Sequence, residues 1–397
     1  MTHMQQRPLV SSKPNTADML FYHVSIFMSI NNNINEKEQT YWVALSTFLK
    51  FGAKRLSYLQ RHFPDMETAY HASAPELFKA GIPEVVALEF IEHRKKINPN
   101  QEIEKLKKEN INVLILPYTN NHTLLREMPD APQILYYKGD LSIFNNACLA
   151  VVGSRKYSLY GQRATEHIIH GCVAEKLTIV SGLALGIDAI SHAAAIKNHG
   201  STIAVLGSGV DNNSIYPANN RYLAQEIIKT GNTIVSEFPF GTPAFKHHFP
   251  QRNRIIAGLS LGTLVVEASQ KSGALITARY ALEYNREVFA IPGSIFNDNA
   301  KGVNGLIKSG AKLVESAQDV ISELGLSEVK RKIEPKKLLP DNEFEAKIIT
   351  ALTEQSMHIN QIAKTSKLDT SVVNATLLNM ELKKYVINLG GGNYALA

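Results

Sequence analysis

The fold of this chain is constrained most by a series of short apolar segments between Ala147 and about Leu324: LAVVG, LTIVSG, STIAVLG, NTIVSE, GTLVVEA and REVFAIPG. Each is strand-length and none alternates polar with apolar residues. Such runs are expected where a strand is buried on both faces. Between them lie stretches of helical pattern, GQRATEHIIHGCVAEK, ALGIDAISHAAAIKNHG, ANNRYLAQEIIKTG, RNRIIAGLS and ALITARYALEYN. Alternating strands and helices imply parallel strands joined by crossovers, so residues 111–326 are expected to form an α/β core, a Rossmann-like doubly wound parallel sheet.

The flanks read differently. Residues 1–35 are Asn-rich and aperiodic, which suggests a disordered arm, and Met28 is an alternative to Met1 as the translation start. Over 36–110 apolar residues recur at helical spacing, as in Tyr41, Leu45, Phe48 and Leu49, so a small helical module is expected there. Its Ala80-Gly81-Ile82-Pro83 turn faintly resembles a DNA-binding hairpin loop, but Pro83 has no N–H to offer a phosphate, and packing is the expected role. Residues 327–341 are charged and Pro-bearing and read as a linker. Over 342–397 the order helix, helix, helix, hairpin is that of a winged helix.

Composition narrows the function. Cys148 and Cys172 are the only cysteines, so no disulfide framework or zinc ribbon is available and a reducing, cytoplasmic setting is expected. The apolar runs fall far short of the roughly 20 residues of a membrane span, so no membrane partner is expected. A formal charge of +6 favours a polyanionic partner mildly, and on charge alone a solvated basic surface is the stronger expectation.

In an open α/β sheet ligands bind at the carboxyl ends of the strands, and here the loops at those ends are rich in Gly, Ser and Arg. Gly153-Ser154-Arg155 presents amides and a guanidinium suited to a phosphate, or forms a plain strand–helix turn. Ser181 and Gly182 open a second loop whose Asp188 is expected to cap the following helix. Gly207 and Gly209 form a third, with Tyr216, Asn220 and Arg221 beyond it. Neither glycine loop is a dinucleotide fingerprint, since Arg155 and Asn212 occupy glycine positions of that motif, and no cofactor is expected. Phe249, Arg252, Asn253 and Arg254 suggest a clamp on base and phosphate, while the adjacent His247 and His248 make a poor metal site. Lys271-Ser272-Gly273 is one more amide-rich helix entrance. Together these loops suggest a phosphate track rather than a mononucleotide pocket.

The segments VVGSRKYSLYG, IVSGLALGIDAISHAAAI, AVLGSGVDNNSIYPANNRYL, SEFPFGTPAFKHHFPQRNRIIAGLS, ASQKSGALITARYALEYNREVFAIPG and GVNGLIKSGAKLV resemble, in order, those of the DprA/Smf family of DNA-processing proteins. The resemblance spans roughly Pro117 to Leu324; the helical module is similar to that family's SAM-like region and the tail to its winged helix. It implies a dimeric, non-enzymatic protein that binds and protects single-stranded DNA and loads RecA recombinase during natural transformation. Ala218 stands where some relatives carry a basic residue, and Asn220-Arg221 is the expected substitute. The alternative function is a nucleoside-monophosphate phosphoribohydrolase of the LOG type. Against it, GLSL replaces that family's PGG lead-in and Glu267 lies one residue too far from Thr263, so Glu267 is expected to be structural. The candidate recognition helix, Thr370 to Lys384, has cations only at Lys383 and Lys384, which favours protein contact or shape-based duplex binding over sequence readout.

Overall fold

The computed structural model describes residues 34–119, 123–326, 340–352, 356–383 and 385–396. Most of the arm expected over 1–35, both possible start methionines, most of the 327–341 linker and Lys384 lie outside the described residues. The chain divides into two compact units, with the boundary at 326/327.

The first unit is built on a nine-stranded sheet of order β1-β2-β6-β5-β4-β3-β7-β8-β9. Its strands are β1 (Asn112–Ile115), β2 (Ile134–Lys138), β3 (Cys148–Val152), β4 (Thr178–Ser181), β5 (Thr202–Val205), β6 (Thr233–Ser236), β7 (Gly262–Val265), β8 (Glu287–Ala290) and β9 (Lys312–Leu313). β3 to β9 pair in parallel, in keeping with the expected doubly wound sheet. The sheet is mostly rather than wholly parallel, because β1 and β2 form a hairpin added antiparallel to the edge of β6.

The apolar runs are explained by two cores, one on each face. Leu149 and Val151 of β3 pack with Ile168, Cys172, Ile187 and Leu264. Their neighbours Ala150 and Val152 pack on the other face with Ile255, Ile256, Val265 and Ala278. Successive strand residues point to opposite faces, so with helices on both sides the strands are buried throughout, and the polar residues they carry, such as Thr178, Ser181 and Thr263, are buried too. The N-terminal helices are not separate from this sheet: Trp42, Leu45, Phe51 and Phe90 share one core with Val113, Ile115, Ile134 and Tyr136.

The second unit has helices Glu343–Leu352, Ile359–Ser366 and Thr370–Leu382 around Ile348, Ile362, Val373, Leu377 and Met380, and a three-stranded sheet. This is a winged-helix arrangement, with the hairpin turned by Gly390, Gly391 and Gly392, all at positive φ. Lys383, a cation of the candidate recognition helix, is engaged by Asp341 and Glu345.

Candidate nucleic-acid interface

From β3 the chain winds outward through β4, β5 and β6, then returns to the other side of β3 as β7. The strand order therefore reverses between β3 and β7, and a crevice opens at their carboxyl ends. Gly153, Ser154 and Arg155 line it from the β3 loop, Phe249, Arg252 and Asn253 from the helix His248–Gly258, and Ser272 and Gly273 from the entrance to the helix Ala274–Glu283.

Two features suit this crevice to a polyanion. Neither of the two helices that begin there carries an acidic residue in its first turn, so no carboxylate of the helix itself offsets the positive end of its dipole. Arg155 is exposed, and no ion pair engages it among the described residues. Its guanidinium lies 5.5 Å from the centre of the Phe249 ring, and the half-exposed Tyr216 ring lies 5.9 Å from Phe249. A cation and two aromatic rings at these separations match a phosphate with its flanking bases.

The other arginines have different positions. Arg252 is only 4% exposed and forms the floor of the crevice, its Nη1 donating to the carbonyls of Gly182 and Val205. Burial lowers its pKa to about 10, against the opposing pull of Asp188, and it remains a cation at neutral pH. Arg254 is turned away from the crevice, with its guanidinium on Glu237 and Asp130. Residues two apart on a helix point roughly 200° apart, so two arginines at i and i+2 cannot both face one groove.

Several glycine-loop residues hold the loops in place. Ser181 Oγ donates to Val151 O at 2.6 Å, and the Gly209 amide donates to Thr242 O at 2.9 Å. Gly207 is buried, its carbonyl 3.2 Å from His248 Nδ1. Asn220 Nδ2 donates to Leu183 O and Ala184 O, and Arg221 to Ile215 O and Asn213 O, so both brace neighbouring loops. Lys271 is exposed beside the crevice mouth, and Ser272 Oγ accepts from the Ala274 amide.

One expectation about a helix end is corrected. Asp188 does not cap the helix Ile187–Lys197, whose N-cap is Gly186; its carboxylate turns back to accept from the Gly182 amide at 3.1 Å. Burial raises its pKa despite the adjacent Arg252. The helix Leu159–Ala174, which follows Arg155, does not aim free amides at the crevice. Glu267, buried as expected of a structural residue, accepts from Ser158 N at 2.9 Å and from Ser158 Oγ, and Ser158 Oγ accepts from the Gly161 amide. An internal carboxylate thus occupies that dipole.

The crevice also has a wall that the motif-based reading missed. Ile276 and Thr277 line it together with Gly273, and the i, i+3, i+4 spacing was a signal that they share a helix face.

Gly186 ties the second loop to the first. It sits at φ +86, and an added Cβ would collide with the Ser154 carbonyl oxygen and the Arg155 backbone. Gly186→Ala is therefore expected to lower stability by about 1 to 2 kcal/mol and to displace the Arg155 loop. Urea unfolding checks this, and an unchanged midpoint would contradict it.

Comparison with known proteins bears on the family and the fold. The profile of the family described as DNA recombination-mediator protein A matches residues 114–325, and that of the DprA winged helix domain matches 334–392. Protein Smf of Synechocystis is 39% identical over 308 residues, covering 76% of this chain and 77% of its own. DNA processing protein DprA of Streptococcus pneumoniae is 49% identical over 199 residues, 50% of this chain and 69% of its own. The X-ray structure of DNA processing protein A from that species superposes with a TM-score of 0.58 at 37% identity, covering 75% of this chain and 99% of the other. The chain thus belongs to the DprA/Smf family of DNA-processing proteins, with a mostly parallel α/β core and a DprA winged-helix domain.

Proposed function

We propose that this protein binds single-stranded DNA along the crevice between the β3 and β7 loops, without catalysing a reaction, and acts as a homodimer that loads RecA onto the bound strand during transformation. The observation that carries the DNA reading is the cluster of Arg155, Phe249 and Tyr216 beside two helix entrances that bear no acidic residue in the first turn. Charge and dipoles grip a phosphate of any sequence, and aromatic faces accept any base. The RecA and dimer steps rest on membership of a recombination-mediator family.

Of the residues singled out in the sequence, Arg155 is assigned to phosphate, Phe249 and Tyr216 to bases, and Gly153, Ser154, Asn253, Lys271, Ser272 and Gly273 to the walls and mouth of the track. Arg252 supports the track from beneath. Ser181, Gly182, Gly207, Gly209, Asn220 and Arg221 shape its loops, and Arg254 lies outside it. A hydrolase reading is disfavoured because both Glu267 oxygens are engaged at a helix end.

The test is a competition between oligo-dT and a mixed-sequence duplex of equal length, together with incubation with AMP. Preference for the single strand and no release of adenine are expected. Equal or tighter duplex binding would overturn the DNA reading, and adenine release lost in Glu267→Ala would reinstate the hydrolase.

A further inference from the structure

The most exposed large apolar residue of the first unit's described part has a strongly exposed apolar neighbour. Phe296 is 93% exposed and Ile295 75%, at the tip of the loop that follows β8. Large apolar side chains this exposed at a loop tip point to contact with another molecule.

The anchoring of this loop indicates which molecule. The Asn299 side chain donates to the carbonyl of Lys156, next to Arg155, at 2.6 Å. The Asn299 carbonyl accepts from the amide of Ala268 at 2.7 Å, and the Gly302 amide donates to Ala268 O at 2.8 Å. Asn299 thereby couples the Phe296 loop to the loop bearing Arg155 and Lys156 and to the loop that leads to Lys271. All three lie at the carboxyl edge of the sheet. Tyr157, 44% exposed, is on the adjoining β3 loop, and the exposed Lys156 and Lys271 give these neighbouring loops a positive character.

We infer that Phe296, with Ile295 beside it, is a second base-stacking platform that receives a nucleobase of the same single strand after it leaves the Arg155 crevice. The proposal rests on the DNA reading above and extends it. It adds a contact that only a strand longer than the crevice can reach. An exposed ring next to a cationic path is suited to any unpaired base, because every base has a π-face. Contact with a second protein is the competing occupant; cations on the adjoining loops and continuity with the crevice favour the nucleobase.

The test uses the full chain and two oligo-dT probes, one of about 5 nucleotides and one of about 20, chosen to fall below and above the span of a single-strand site. Phe296→Ala is expected to leave short-probe binding unchanged and to weaken long-probe binding about tenfold, the order of losing one stacked base. Phe296→Trp is expected to retain long-probe affinity, with the introduced indole quenched on binding; the single native tryptophan, Trp42, is buried and supplies a constant background.

Equal binding of both probes by wild type and Phe296→Ala would overturn the platform while leaving the crevice intact. Full rescue by Phe296→Leu would also overturn it, because packing and not stacking would then be the contact. Altered sedimentation of Phe296→Ala with unchanged DNA binding would assign the loop to a protein interface instead. Failure of the wild type to bind either probe would overturn the crevice reading and the platform with it.

Discussion

Acidification from pH 7 to pH 5 is expected to remove about 2 kcal/mol of stability through one residue, His192. Its ring is fully buried, with Nδ1 2.7 Å from Thr202 Oγ1. That hydroxyl already donates to Ile179 O at 2.8 Å, so it must accept from Nδ1–H. The proton is therefore on Nδ1, and Nε2 is a buried lone pair with no partner among the described residues. Protonating it would bury a cation near Arg252. Burial first, and then the Arg252 charge, push the pKa from 6.5 down to about 3.

Because the folded value lies below the unfolded one, the unfolded chain binds a proton that the folded chain refuses between about pH 6.5 and 3. Stability is full above this window and falls with decreasing pH by up to about 1.4 kcal/mol per unit, or roughly 4 to 5 kcal/mol across it. The measurement is urea unfolding of wild type and His192→Leu at pH 7 and pH 5. The variant is expected to be less stable at pH 7, having left Thr202 Oγ1 without its donor, and to lose about 2 kcal/mol less on acidification. His248, whose pKa burial also lowers, and Asp188, whose pKa burial raises, contribute equally to both proteins and cancel in the difference. Equal losses in the two proteins would contradict the assignment.

How much of this was legible in the sequence differs from element to element. Strands β3 to β8 could be read because two-sided burial leaves an unbroken apolar run, a pattern few other structures produce. β1 and β2 were not read, although NVLI and ILYYK are also apolar, because a hairpin added to a parallel sheet has no crossover helix to signal it. β9 has two residues, both exposed, and no pattern at all. At the site, the Gly153-Ser154-Arg155 and Phe249 segments were read at one sheet edge because both follow strands, but Phe249 and Arg252, read as loop residues, stand in the helix His248–Gly258. Which arginine faces outward was not legible. The partners that decide it, Gly182 and Val205 for Arg252 and Asp130 and Glu237 for Arg254, are distant in the chain or lie in another loop. Glu267 was read as structural from its register alone, but its partner Ser158, 109 residues away, was beyond reach.

The second large effect concerns Arg155. No carboxylate pairs with it among the described residues, so its removal changes the DNA contact without disturbing an ion pair described in the fold. Arg155→Ala is expected to lose about 1.5 to 3 kcal/mol of affinity for oligo-dT, the range for a hydrogen bond to a charged group. Arg155→Lys is expected to retain the charge while losing the bidentate grip and the planar contact with Phe249, and to fall between the two. Arg254→Ala provides the contrast, because its guanidinium is engaged by Glu237 and Asp130 and its loss should appear in stability.

The most direct measurement is the affinity of wild type, Arg155→Ala and Arg254→Ala for oligo-dT across a salt series, with melting temperature recorded on the same samples. One neutralised phosphate contributes about −0.7 to the slope of log affinity against log salt for a single strand. A slope shallower by about 0.7 in Arg155→Ala, unchanged in Arg254→Ala, with Arg155→Ala melting like wild type, is the predicted result. Wild-type affinity and slope in a normally folded Arg155→Ala would contradict the placement of DNA in this crevice.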